Sequence, residues 1–187
     1  MDICHGLFLP GGAFDSSELF YTDPKNDNEF ASLRQMAYSV SIRSAVENHK
    51  PILSICAGAQ IVAGEFGLKL YRSFDYVETP IQHKTNNPEA HRLNVFADTP
   101  LQRIFGGENM FFVTSRHNEL LVPLKVQREL WAEKEHIPVD AVKLPLDYYA
   151  EANDGTPEAW GSEEKHILCV QWHPEDMAVK QRVQLGE

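Results

Sequence analysis

Long apolar runs, basic clusters, paired cysteines and low-complexity stretches are all missing from these 187 residues. No segment approaches the roughly 18–20 consecutive apolar residues that a membrane-spanning helix needs, so no span is expected. The amino terminus, Met1-Asp2-Ile3-Cys4-His5, has no basic region leading into an apolar one, and a secretory signal is not expected either. Three cysteines, Cys4, Cys56 and Cys169, are an odd number at wide spacing. That is no disulfide framework, and free thiols suit a reducing compartment, so the expected location is cytoplasmic. Basic residues are outnumbered seventeen to twenty-seven, for a net charge of -10. Nucleic acid and anionic membrane surfaces need clustered Lys and Arg and are excluded as expected partners. His5, His49, His83, His91, His117, His136 and His166 lie scattered without metal-ligand spacing, so neither a metal nor another cofactor is expected.

What is present is the make-up of an ordinary globular chain, with 43% hydrophobic and 24% charged residues. Its length fits one domain over 1–187, without linker or internal repeat. Ile3 to Leu9 is a short apolar run stopped by Pro10-Gly11-Gly12, which predicts a buried strand entering a glycine turn. Asn26 with Glu29 forms a capping pair, and Phe30, Leu33, Ala37 and Val40 at helical spacing predict the buried face of a helix ending near Asn48. Pro51 to Ile55 reads as a second strand. Ala57 to Phe66 reads as a helix, with Gly67 where a C-terminal cap belongs. Strand, helix, strand, helix in this order predicts parallel βαβ units in an α/β fold. Lys69 to Val113 predicts short strands and one small helix at Thr99 to Phe105. Gln127 to His136 predicts an exposed charged helix. Tyr149 to Asn153 and His166 to Gln171 predict strands joined by a turn at Asp154-Gly155.

The segment Ser54-Ile55-Cys56-Ala57-Gly58-Ala59-Gln60 places a cysteine between a strand and a helix. A nucleophile at such a turn needs small neighbours two positions away, and here these are Ser54 and Gly58. The turn would carry the Cys56 sulfur to the carboxyl end of the sheet, where open α/β sheets bind ligands. A helix N-terminus there favours thiolate, and the Ala57 N–H is free for an oxyanion. A buried structural cysteine is the competing reading, and the residues around Cys56 leave both open. Gln171-Trp172-His173-Pro174-Glu175 follows an apolar strand. His173 can serve as the base and Glu175 can turn back to fix its tautomer. A surface histidine beside a solvated glutamate is the competing reading for that pair.

Taken in order, Leu9-Pro10-Gly11-Gly12, the Cys56 segment and the His173 segment resemble the class I glutamine amidotransferase superfamily, most of all its γ-glutamyl hydrolase (peptidase C26-like) branch. Ser115-Arg116-His117-Asn118-Glu119 and Asp154-Gly155-Thr156-Pro157-Glu158-Ala159 add to the likeness, which covers almost the whole chain. The resemblance implies a three-layer, open, mostly parallel sheet flanked by helices, flavodoxin-like in type. It implies a Cys56–His173–Glu175 triad with an oxyanion site at the N–H groups of Gly12 and Ala57. Gly11, Gly12, Ala57, Gln60, Ser115 and His117 would hold the substrate, a small γ-glutamyl compound. Asp154 to Ala159 would be a structural turn beside the site.

Three departures from the family pattern stand out. Ser54 and Ala57 flank the elbow where relatives carry Gly-Ile-Cys-Arg-Gly, which removes a positive side chain. The segment between Leu121 and Tyr148 is longer and charged. The Pro-Gly-Gly turn comes at residue 10, about one βαβ unit early, so a sheet edge would lie bare. A homodimer is one way to cover it. The expected activity is hydrolysis of a γ-glutamyl amide through a thioester. The alternatives are a glutaminase subunit delivering ammonia to a separate synthetase, and a catalytically silent binding protein.

Overall fold

A computed structural model describes residues 3–12, 16–22 and 32–177. Its main element is a seven-stranded sheet in the order β1 (Leu7–Leu9), β2 (Ile52–Ile55), β9 (Ile167–Val170), β8 (Pro157–Ser162), β7 (Asp147–Ala152), β4 (His91–Val95), β5 (Met110–Val113). The β1–β2 and β2–β9 pairs are parallel, and the four pairs from β9 to β5 are antiparallel. Only β8 and β4 therefore run against the rest, and five of the seven strands share one direction. A small second sheet pairs β3 (Leu70–Tyr71) with β6 (Leu120–Leu121).

Successive strand residues feed two cores, as the two-residue period of a strand requires. Tyr148, Trp160 and Cys169 join one face with the helices α1 (Leu33–Glu47) and α2 (Ala57–Glu65). Their neighbours Tyr149, Ala159 and Val170 join the other face with Leu101 of α3 (Pro100–Ile104). Among the described residues the second face is uncovered at one end. Phe8, Leu53 and Leu168 lie side by side across β1, β2 and β9, and Phe8 and Leu53 are exposed. No helix among the described residues is long and apolar enough to cross a membrane.

Several expectations need correction. The first strand covers only Leu7–Leu9, and Ile3 is exposed. The proposed cap at Asn26 and Glu29, and Phe30, lie outside the described residues. The described helix starts after Ser32, whose hydroxyl accepts from the Gln35 N–H. Leu33, Ala37 and Val40 face outward, while Gln35, Ser39, Ile42 and Ala45 are buried, because the helix presents its small-residue side to α2. The turn at Asp154-Gly155 joins β7 to β8, a strand the sequence reading passed over, and β9 follows it. Pro157 and Gly161 hid that strand, since both residues are rare in strand interiors. Gly161 is needed because a Cβ there would sit 2.1 Å from the Ile167 carbonyl oxygen. The small helix after Thr99 and the helix α4 (Leu124–Glu135) stand where they were expected, although Gln127 and Ala132 of α4 are buried.

Candidate active site

β2 ends at Ile55, α2 begins at Ala57, and Cys56 alone makes the turn with φ 50° and ψ -116°. A non-glycine residue holds such a conformation only when its surroundings enforce it. Here the Cys56 N–H donates to the Val170 carbonyl at 2.8 Å, and α2 winds immediately afterwards. Gly58 allows α2 to lie against β1, since a Cβ at that position would meet the Leu9 carbonyl oxygen at 2.6 Å. Ser54 is fully buried, and its hydroxyl donates to the Cys169 sulfur at 3.1 Å.

β9 delivers His173 to the same place. The His173 N–H donates to the Thr114 hydroxyl at 3.1 Å, which fixes the chain just before the ring. Glu175 turns back so that its carboxylate oxygen lies 2.6 Å from His173 Nδ1. A ring that donates from Nδ1 keeps Nε2 as its basic nitrogen. Gly11 lies between the two candidate reacting groups. A Cβ at Gly11 would stand 3.0 Å from His173 Cε1 and 3.1 Å from Cys56 Cβ, so only a glycine leaves them room.

Cys56 and His173 open into one pocket of about 500 Å³, shared with Gly12, Ala57, Gln60 and His117. Gly12 has φ 140°, and a side chain there would run into the Arg34 guanidinium of α1. Gln60 is buried; its amide donates to the Glu119 carbonyl and to Gln171. Ser115 is not on the pocket wall. It is fully buried, and its hydroxyl donates to the His83 carbonyl at 2.7 Å. Ser16, Lys84, Arg116, Asn118 and Glu119 complete the lining. None of the five had a signal of its own in the sequence, because a pocket wall has no spacing rule. Arg116, Asn118 and Glu119 were reachable only through their segment. Lys84 and Arg116 meet across an isolated β-bridge, and both line the pocket, Arg116 paired with Asp176 at 3.0 Å.

Burial pushes the Cys56 thiol up to about 11, partly offset by the Ala57 N–H and reinforced by the charges of Glu158, Glu175 and Glu119. The expectation of a thiolate favoured by the helix N-terminus is therefore corrected. One backbone donor is outweighed by loss of solvent around the sulfur. Burial around the sulfur thus works against the thiolate that the helix N-terminus favours.

Comparison with known proteins identifies the family and the fold. The Peptidase C26 family model matches residues 1–175. The chain is 30% identical to the glutamine amidotransferase-like protein YvdE of Lactococcus lactis over 90% of its own length. It is 26% identical to protein NtpR of Enterococcus hirae, again over 90% of its length. It spans 65% of the first relative and 66% of the second, just under two thirds of each. Among solved structures, a glutamine amidotransferase of Thermotoga maritima superimposes with a TM-score of 0.56 at 15% identity. That match covers 90% of this chain and 56% of the other. The glutaminase domain of Trypanosoma brucei CTPS superimposes with a TM-score of 0.57 at 17% identity, covering 92% and 64%. Both structures share the fold. With a family match along nearly its whole length, this chain belongs to the Peptidase C26 family, a branch of the class I glutamine amidotransferase superfamily.

Proposed function

We propose that the chain hydrolyses a γ-glutamyl amide by nucleophilic catalysis at Cys56. The observation that carries this reading is the meeting of a strained elbow cysteine and a carboxylate-held histidine on either side of Gly11, at one pocket. His173 Nε2 takes the thiol proton as the sulfur attacks the γ-carbonyl carbon. The carbonyl oxygen gains negative charge and is held by the N–H groups of Ala57 and Gly12. The imidazolium then returns the proton to the departing nitrogen, and the C–N bond breaks to leave a γ-glutamyl thioester. Water, losing its proton to His173, attacks the thioester; the acid leaves and the thiol is restored. Glu175 stays ionised and holds the ring through both half-reactions.

The pocket wall supports the γ-glutamyl choice. Lys84 offers a cationic partner for the α-carboxylate of the substrate, with Arg116, held by Asp176 at 3.0 Å, beside it, and Glu119, which accepts from the Tyr21 hydroxyl, offers an anionic one for its α-amino group. His117 and Gln60 line the same pocket. The test is labelling of the folded chain with a diazo-ketone analogue of glutamine, the modified residue being found by peptide mass spectrometry. The label is expected on Cys56 alone, to be blocked by a γ-glutamyl amide and to be lost in His173→Ala. A folded chain that takes no label would leave the silent binding protein as the better account. Labelling without hydrolysis until a synthetase is added would mean an ammonia-delivering subunit.

A further inference from the structure

Behind the pocket wall, three imidazoles, that of the lining residue His117 among them, converge on one carboxylate that takes no part in the proposed reaction. Glu158 Oε1 on β8 lies 3.3 Å from His83 Nδ1, 3.2 Å from His91 Nε2 and 3.5 Å from His117 Nε2. All four side chains are buried, Glu158 completely. The approach is close, yet none of these contacts has hydrogen-bond alignment. Both Glu158 oxygens and all three facing nitrogens are without a hydrogen bond. Buried polar atoms left in this state are uncommon and require a cause.

The far nitrogen of each ring is tied to an oxygen acceptor. His83 Nε2 meets the Asp154 carboxylate at 2.9 Å, His117 Nδ1 meets the Glu119 carbonyl at 2.9 Å, and His91 Nδ1 leans on the Arg92 carbonyl at 3.4 Å. A neutral ring that donates outward in this way turns its lone pair inward. With all three rings neutral, three lone pairs and a carboxylate would face one another, a repulsion relieved by a cation among them, either a metal ion or a proton on His83, which lies between the Asp154 and Glu158 carboxylates. Carboxylate and carbonyl acceptors behind the rings are the usual outer partners of metal-bound histidine. Two of the spacings also fit, the 3.3 Å and 3.2 Å from Glu158 Oε1 to His83 Nδ1 and His91 Nε2. Bonds of about 2.0–2.1 Å around a tetrahedral zinc set neighbouring ligand atoms about 3.4 Å apart. The ligand atoms of His83, His91 and Glu158 all lie within 4.8 Å of one another.

We propose that His83 Nδ1, His91 Nε2 and Glu158 bind a divalent first-row transition ion, zinc by preference, with His117 Nε2 as the nearest further donor. Imidazole and carboxylate suit such ions. The site is closed and buried, so its role is structural. The ion ties the segment at His83, which continues into the pocket residue Lys84, to β4 and β8. Through His117 it also steadies the wall formed by Arg116, Asn118 and Glu119. The expectation of no metal rested on separation along the chain. Residues 83, 91 and 158 are far apart in sequence and adjacent only in the fold.

The test uses the full chain without an affinity tag and carrying Cys56→Ala, so that the pocket thiol cannot capture the ion. The protein is stripped with a chelator, dialysed against zinc or cobalt(II), and assayed for bound metal by elemental mass spectrometry. We expect about one ion per chain, visible cobalt bands of an imidazole–carboxylate site, and a higher thermal midpoint with zinc. His91→Gln and Asp154→Asn, each checked for folding by circular dichroism, are expected to weaken binding by more than about tenfold. A folded parent that binds no ion at micromolar concentration overturns the proposal and leaves a purely protonic histidine–glutamate cluster. Binding of parental strength in either folded variant also overturns it.

Discussion

At Cys56 the backbone and the solvent pull in opposite directions. The turn with φ 50° exposes the residue to the pocket and puts its sulfur at the start of α2, yet the packing that enforces the turn strips water from it. Desolvation dominates, and the thiol rises to about 11. Below that value the thiolate fraction, and with it the rate of alkylation by iodoacetamide, should climb about tenfold per pH unit. The expected profile for Cys56 therefore keeps rising well above neutrality. A plateau already reached near pH 7 would reveal a preformed thiolate–imidazolium pair with His173 and would contradict a proton transfer coupled to attack. The flanking residues Ser54 and Gly58 were legible as small, and the reason is now specific: Gly58 lies against the Leu9 carbonyl, whereas Ser54 donates to Cys169.

Among the elements, β8 links the two halves of the site. It carries Glu158 into the histidine cluster and pairs with β9, which ends just before His173. Its closeness to β9 depends on Gly161, where an added methyl would collide with the Ile167 carbonyl oxygen and approach the Tyr149 ring at 2.9 Å. Backbone cannot yield as a flexible side chain does. Gly161→Ala is therefore expected to cost at least about 1–3 kcal/mol of folding stability, measured by urea denaturation. An unchanged midpoint would mean that β8 and β9 are farther apart than described. Helix α1 teaches a complementary point. Two stripes on it could have been buried, and the more apolar one, Leu33, Ala37 and Val40, is the exposed one. Contact with α2 favours the side with Ser39 and Ala45, and Gln35 on that side accepts the Ser17 N–H. Hydrophobic periodicity located the helix without selecting its face.

For the whole molecule, charge and surface act together. A net charge of -10 keeps copies apart near neutrality, and this repulsion vanishes as the pH falls toward the isoelectric point of about 5.2. The row Phe8–Leu53–Leu168 beside the β1 edge is one apolar surface open to association among the described residues. Static light scattering should therefore increase between pH 7 and 5.2, and Leu53→Lys should suppress much of the increase. Equal scattering by that variant would assign association to another surface. Because Leu53 is 44% exposed, its replacement is expected to leave the thermal midpoint nearly unchanged.

Local chemistry written into the chain was enough to determine the strand–Cys56–helix turn and the α/β class, while for His173 and Glu175 it left a solvated surface pair open. Each depends on residues within a few positions of one another, where small flanks, caps and apolar period act directly. Family likeness extended this to the order of the parts. Only the tertiary structure decided which side of α1 is buried, that Ser115 turns inward, and that Lys84 and Arg116 line the pocket. It also decided that residues 83, 91, 117 and 158 share one buried point. Such outcomes arise from packing between segments tens of residues apart, and a side chain's environment there is set by its neighbours in space rather than along the chain.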